Sequence, residues 1–348
     1  MTMELSWLAE PVKVPCQKSR QRAAERQAQL TKPPGSLGQL EQIAIDFCGW
    51  QQTDRPVIAQ PAICVFAADH GVVAEGVSAF PQQVTAQMVN NFGRGGAAIT
   101  VLARQLKATF KTVNLGTIVP ADDFDTVVNL ALSSGSENFL QAPAMSEALY
   151  TAAVQAGRDY CPASADLFIA GDMGIGNTTA AAALICAYTG IAPEQIVGRG
   201  TGIDDQALFH KCEIVARALR HHSAVLSDAT EVLRCLGGLE IAAMAAAYVC
   251  CAQRGIPSLI DGFIATAAAL AACRINPGVR DWLLFSHQSA ELGHRLALQA
   301  LEASPILNAG LRLGEGSGAA LAMPVVQMAL VLHNEMATFA EAGVSEGE

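Results

Sequence analysis

Short apolar runs recur along the chain, and each closes on a cluster of glycine and polar residues. Five stand out: AICVFAA (62–68), FKTVNLG (110–116), DLFIAG (166–171), IPSLID (256–261) and WLLFSH (282–287). They are rich in Val, Ile, Leu and Phe, and segments of helical periodicity separate them. This alternation predicts buried parallel strands joined by crossover helices. A sixth strand is expected near Ile196–Val197. The predicted class is α/β, with a Rossmann-like, mostly parallel sheet flanked by helices. The runs end in DHG, NLG, GDMG, IDG and SHQS. In open α/β sheets, ligands bind outside the carboxyl ends of the strands, so the chemistry is expected at these five corners.

The two ends of the chain carry no strand pattern. A helix is expected over 16–30, followed by TKPPGSLGQLEQ and a second helix from about Ser36, with Ser36 and Gln39 forming a capping box. Residues 318–341 read as one long apolar helix with Pro324 near its start. The expected division is a catalytic α/β domain over 55–310 and a small helical subdomain from 1–54 plus 311–348.

Composition narrows the partners. The chain has 348 residues, a formal net charge of −10 and only 16% charged residues. Sustained basic patches are missing, which disfavours nucleic acid. Ten cysteines include no C-x-x-C pair, so buried, reduced thiols in a cytoplasmic protein are expected. The opening MTMELSWLAEPVKVP lacks a basic region followed by an apolar one, so no signal peptide is expected. The apolar segments 239–252 and 262–273 are too short to span a bilayer, and no membrane span is expected.

The candidate chemistry begins at GDMGIGNTT (171–179). Gly171, Gly176 and Thr178 match the spacing of a P-loop, but the lysine that would reach the outer phosphates is Asn177. A glycine loop opening a helix suits an anion, and without the clamp lysine a single phosphate monoester is the better guest than a triphosphate. A second glycine loop, VGRGTGIDD (197–205), precedes a helix carrying Lys211. Lys211 is either a solvated charge or the missing cation supplied from elsewhere. RLGEGSGAAL (312–321) sets Glu315 between two glycines. In an apolar pocket its pKa would rise and it could act as a general base; the competing role is an acid at a helix N-terminus. Asp69 and His70 lack a second ligand cluster, and His287 and His294 are seven apart, so no metal site and no cofactor are assigned.

Taken in order, KPPGSLGQLE, FAADHGVVAEGVSAFPQQVT, GDMGIGNTT, GRGTGIDD, LGGLEIAAM, LIDGF, SHQSAE and LRLGEGSGAAL closely resemble the nicotinate-nucleotide–dimethylbenzimidazole phosphoribosyltransferases of cobalamin assembly, over essentially the whole chain. The resemblance implies transfer of phosphoribosyl from nicotinate mononucleotide to 5,6-dimethylbenzimidazole with inversion at C1′, and a homodimer whose sites are completed near the subunit boundary. It implies Glu315 as general base, Ser78, Gln87, Met173 and Leu313 in the base pocket, and Asp172, Gly174, Gly176, Asn177, Thr178, Gly202, Lys211 and Ser289 on the nucleotide side. Asp172 departs from the glutamate expected there in some relatives. Two alternatives stay open: the same chemistry on another benzimidazole, adenine or a phenol, and a non-catalytic nucleotide sensor that would have no use for Glu315.

Overall fold

The computed structural model describes residues 3–200, 202 and 204–345. Thr201 and Ile203 of the second glycine loop lie outside the described residues. In chain order the helices and strands are α1 (Gln17–Gln29), α2 (Gln39–Gln51), β1 (Pro61–Ala68), α3 (Gln83–Arg94), α4 (Ala98–Gln105), β2 (Thr109–Gly116), β3 (Val127–Asn129), α5 (Glu147–Asp159) and β4 (Leu167–Met173). They continue with α6 (Asn177–Thr189), α7 (Pro193–Ile196), α8 (Asp205–His221), α9 (Ala229–Leu236), α10 (Leu239–Arg254), β5 (Ser258–Ile260), α11 (Phe263–Ile275), β6 (Leu283–Phe285), α12 (His294–Ala300), α13 (Ser317–Glu335) and α14 (Phe339–Ala342).

The six strands form one parallel sheet in the order β3-β2-β1-β4-β5-β6. The chain builds outward from β1 to one edge, then returns to β4 and builds to the other. The two central neighbours, β1 and β4, therefore send their exits in opposite directions and open a crevice at their carboxyl ends. Every residue of β1 is buried, as a central strand covered on both faces requires. Helices α3, α4 and α13 pack on the sheet, as do α10 and α11, and α5 packs on α10. The alanines of α6, Ala180 to Ala183, are fully buried and let α8, α9 and α11 approach its backbone closely.

All five strands expected from sequence are present. The sixth is not where the pattern placed it. Ile196 and Val197 are buried, but they end the single turn α7, which starts with Pro193 at its first position. The sixth strand is β3, three residues paired to β2 from Thr112↔Val127 to Asn114↔Asn129.

Helix α2 starts at Gln39 rather than Ser36, and Gly38 at its N-cap carries no side-chain cap. Glu41 takes over that work. Its carboxylate accepts from the N–H groups of Gly35 and Leu37 and pairs with the Lys32 ammonium at 2.8 Å. The terminal helix pattern is also shorter than expected. α13 holds Pro324 in its interior and stops at Glu335, where Met336 turns extended; α14 restarts behind a capping box made by Thr338 and Glu341. By length and composition α13 could cross a membrane, yet its inner face packs on α2, α4, β4 and β5. The two chain ends meet: the Arg26 guanidinium donates to the carbonyls of His333, Asn334 and Met336, and Gln27 bonds the His333 ring at 2.9 Å.

Candidate active site

The crevice between β1 and β4 leads into a cavity of about 270 Å³. Seven of the residues assigned from sequence line it: Asp172, Met173, Gly174, Asn177, Thr178, Ser289 and Leu313. Strand β4 runs on to Met173, so Gly171 and Asp172 are strand residues and the loop proper is Gly174–Ile175–Gly176. Gly171 is thus not part of the cradle. It pairs with Val65, and the space where its side chain would stand is filled by the backbone of Glu315 and Gly316. Gly176 sits at φ +99 as the N-cap of α6, a conformation that favours glycine. A relay fixes the loop from below: the Ile175 N–H donates to Thr85 Oγ1, and the Thr85 hydroxyl donates to Asp69 Oδ1 at 2.6 Å. Asp69 is therefore a structural acceptor, held also by the Ile118 N–H.

Helix α8 brings a buried lysine to this loop. Lys211 is 1% exposed, and its Nζ donates to Thr178 Oγ1 at 2.8 Å and to the Gly198 carbonyl at 3.4 Å. Burial lowers its pKa to about 8, opposed by the Glu291 carboxylate. Gly200 of the second loop lies against both Thr178 and Lys211. Gly202 lines a second cleft of about 440 Å³, which shares Gly200, Glu291 and Arg312 with the first. The two glycine loops thus face one continuous space.

Ser289 is placed by its neighbours. Its N–H donates to His294 Nδ1 at 2.7 Å, and Nε2 of that ring meets the Thr266 hydroxyl at 2.9 Å. With Nδ1 accepting, the proton sits on Nε2 and the ring is neutral; burial takes its pKa down to about 3. His287 lines the cavity, and burial lowers its pKa too. The pair of histidines noted in sequence is a support for the SHQS corner.

Glu315 lies beside the main cavity rather than in its wall. It is 5% exposed, and Gly314, Glu315 and Gly316 all have positive φ, at 85, 63 and 84°. A left-handed conformation costs a non-glycine residue of order 1–3 kcal/mol and concentrates at functional sites. Its Oε2 accepts from the Ile99 N–H at 3.4 Å, in the first turn of α4. Burial raises its pKa, the Ile99 bond opposes, and the Asp261 carboxylate adds to the rise. The helix that Glu315 precedes has its own anion: Asp261 accepts from the N–H groups of Gly316 and Ala319 at the start of α13. Asp172 is pushed well above the usual carboxylate range, first by burial and then by the charges of Asp261 and Glu240; the Asn177 amide donates to its Oδ2 at 3.0 Å.

Two assigned residues are not brought to this cavity. Ser78 bonds the backbone of Phe80 in its own turn, and Gln87 is exposed on α3. Leu313, although in the wall, is 61% exposed. Phe80, Gly262, Glu291 and Arg312 line the space without having been singled out in sequence. Arg312 donates to the Gly200 carbonyl, a contact across 112 residues that no local motif announces. Among the described residues, no three His, Cys, Asp or Glu side chains stand together as a metal site.

A glycine loop with a buried lysine at the switch point of a doubly wound sheet, and a strained, buried carboxylate beside it, fit an α/β enzyme acting on a phosphorylated nucleoside. Comparison with known proteins makes the class specific. Residues 12–344 match a family model described as Phosphoribosyltransferase. A nicotinate-nucleotide–dimethylbenzimidazole phosphoribosyltransferase of Pseudomonas aeruginosa is 53% identical over 348 residues, covering 99% of both chains. One of Pseudomonas putida is 55% identical over 328 residues, 93% of both. The crystal structure of the enzyme of that name from Thermus thermophilus superposes with a TM-score of 0.89 at 43% identity, over 95% of this chain and 100% of its own. The chain belongs to the nicotinate-nucleotide–dimethylbenzimidazole phosphoribosyltransferase family.

Proposed function

We propose that this chain transfers the 5-phosphoribosyl group of nicotinate mononucleotide to 5,6-dimethylbenzimidazole, releasing nicotinate and α-ribazole 5′-phosphate. The observation that carries the reading is the pairing of a one-phosphate cradle, completed by Lys211 on Thr178, with a buried glutamate of raised pKa. The donor phosphate sits on Gly174, Asn177 and Thr178, with Gly176 shaping the turn and Gly202, Lys211 and Ser289 closing around the nucleotide. The acceptor lies toward Ser78, Gln87, Met173 and Leu313. One benzimidazole nitrogen attacks C1′ from the face opposite the pyridinium. The C1′–N bond to nicotinate breaks, its electron pair stays on the ring nitrogen, and Glu315 takes the proton from the other benzimidazole nitrogen. Asp172, whose carboxyl burial holds well above the usual carboxylate range, faces the cationic donor, whose charge favours its ionised form and so offsets the charge developing on the ribose.

The leaving group departs as a neutral pyridine rather than pyrophosphate, so this chemistry gives Mg²⁺ no phosphate chain to hold. Chromatography of a reaction with both substrates should show α-ribazole 5′-phosphate and nicotinate in equal amounts, at the same rate in EDTA. Nucleotide binding without nicotinate release would leave a sensor. Loss of activity in EDTA restored by Mg²⁺ would overturn the mechanism. Other bases offered in the same assay decide the acceptor.

We also propose a homodimer. Leu321, Met328 and Val331 project from the outer face of α13, with Val101 exposed on the adjoining α4, and a second copy of the chain is the partner that would cover them. The acceptor side, with Phe80 and Leu313 exposed, would be closed at the same boundary. Sedimentation at micromolar concentration should give a dimer, and a fully active monomer would remove the proposal. The helical ends, 1–54 with 311–348, are taken as a subdomain beside the 55–310 domain, and the ten free cysteines suit the reducing cytoplasm.

A further inference from the structure

His70 Nε2 and Glu240 Oε1 are hydrogen-bonded at 2.7 Å, both without exposed side-chain surface, 170 residues apart in sequence. The proposed reaction uses neither. His70 follows β1 and Glu240 lies in the first turn of α10. The imidazole occupies space that Gly238 leaves open, where a side chain would collide with Cε1, and it lies against the loop on its other side. A side chain at Gly174 would meet the Ala68 carbonyl first and then the ring Cδ2 and Nε2 at 3.3 Å, and one at Gly176 would meet Val73 Cγ2 at 2.7 Å and His70 Cβ at 3.0 Å. The ring is therefore packed between the start of α10 on one side and the Gly174–Gly176 loop on the other. Two polar atoms of the pair, His70 Nδ1 and Glu240 Oε2, have no hydrogen-bond partner among the described residues. Burying them unpaired is costly, and a pair kept only for stability would be better replaced by apolar side chains of the same shape.

We propose that His70 is a positioning residue for the donor phosphate. Its ring is the floor of the Gly174–Gly176 loop, and the bond to Glu240 fixes the height of that floor. Asp69 and Thr85 hold the next residue, Ile175, by hydrogen bonds, so the loop is carried on two consecutive residues of the β1 exit, one by contact and one by bonding. This rests on the assignment of the 174–178 loop to the donor phosphate.

Three variants test it: His70→Ala, His70→Gln and Gly238→Ala. Gln places an amide nitrogen near the position of Nε2 and keeps the donor to Glu240. Gly238 has φ −156°, which any residue adopts, so its alanine acts through space alone, pushing on the ring and on Glu240 Oε2, which lies 2.8 Å from the new methyl. His70→Ala should raise the KM for nicotinate mononucleotide by about 10- to 100-fold, within what a 1 Å misplacement costs, and leave the KM for dimethylbenzimidazole unchanged. His70→Gln should restore most of the loss. Gly238→Ala should raise the same KM, but add little in the His70→Ala background, because the ring is then gone and the Glu240 carboxylate, no longer bonded to it, can swing aside. Direct titration with nicotinate mononucleotide should show the same order, and Thr178→Val is the control for the loop itself. If Thr178→Val weakens binding while the His70 variants lower only the thermal midpoint, the positioning role is wrong. If Thr178→Val also leaves donor binding intact, the phosphate assignment fails instead. Additive effects of Gly238→Ala and His70→Ala would likewise overturn the proposal.

Discussion

Glu315→Gln should lower kcat by about 10²–10⁴-fold, the usual worth of general-base catalysis, and should not lower the thermal midpoint. The amide keeps an oxygen that can accept from the Ile99 N–H, so the contact to α4 survives while the basicity is lost. Burial holds the native pKa of Glu315 above its ordinary value. The native state therefore binds its proton more tightly than the unfolded chain does. Stability falls as pH rises from the unfolded pKa through the raised one, and above it the buried charge carries its full cost. Glutamine carries no charge, so the variant should be as stable as the parent near pH 4 and at least as stable at pH 8. The parent enzyme should show an acid limb in kcat, with its midpoint above the ordinary glutamate value, and the variant should lose that limb. A residue that served only the α4 terminus would behave in the opposite way, losing about 0.3–1 kcal/mol of stability with turnover nearly intact. Turnover and midpoint measured on one preparation separate the two.

Gly171→Ala should damage both stability and turnover, although Gly171 touches no substrate. Its φ needs no glycine; the space does. A methyl there would overlap the Glu315 carbonyl and crowd the Gly316 nitrogen at 2.9 Å, and both are backbone atoms that cannot swing aside. Overpacking of this kind typically costs about 1–3 kcal/mol. The least costly relief is to push the Gly314–Gly316 turn away from β4, which moves the base. The expected result is a midpoint lower by several degrees and kcat lower by about 10²-fold, since a shift of 1 Å can cost that much. Donor affinity should change little, because the phosphate loop begins three residues further on. Unchanged kcat with a lowered midpoint would show that the turn does not depend on this contact.

What could be read from the sequence follows from how local each feature is. The central strands were legible because a strand covered on both faces must be apolar throughout, as in the fully buried run of β1. β3 was not, because three residues at an edge leave no run to see. Ile196 and Val197 imitate a strand because burial makes them apolar, while the helical turn that holds them announces itself only through Pro193. The phosphate loop was legible as strand, glycines and helix. Its boundary was not: Gly171 has the spacing of a cradle residue but belongs to the packing of two backbones. Lys211 offered two readings in sequence, and only the folded chain, which buries it against Thr178, removes the solvated one. The His70–Glu240 pair had no signal at all, because its members come from opposite halves of the chain and neither stands in a motif with the other.

The left-handed turn that carries Glu315 also fixes when the enzyme can become active during its own synthesis. The residues proposed to hold the donor phosphate have all been made once synthesis passes Ser289. The base comes later, and it is seated by α13, whose first N–H groups must find Asp261. At roughly 5–20 residues per second, the ribosome needs a few seconds to go from Ser289 to the end of α13. A nascent chain in that interval carries the proposed phosphate residues without the proposed base. Ribosome-bound chains arrested before residue 315 should therefore release no nicotinate, so an unfinished enzyme cannot spend its substrate.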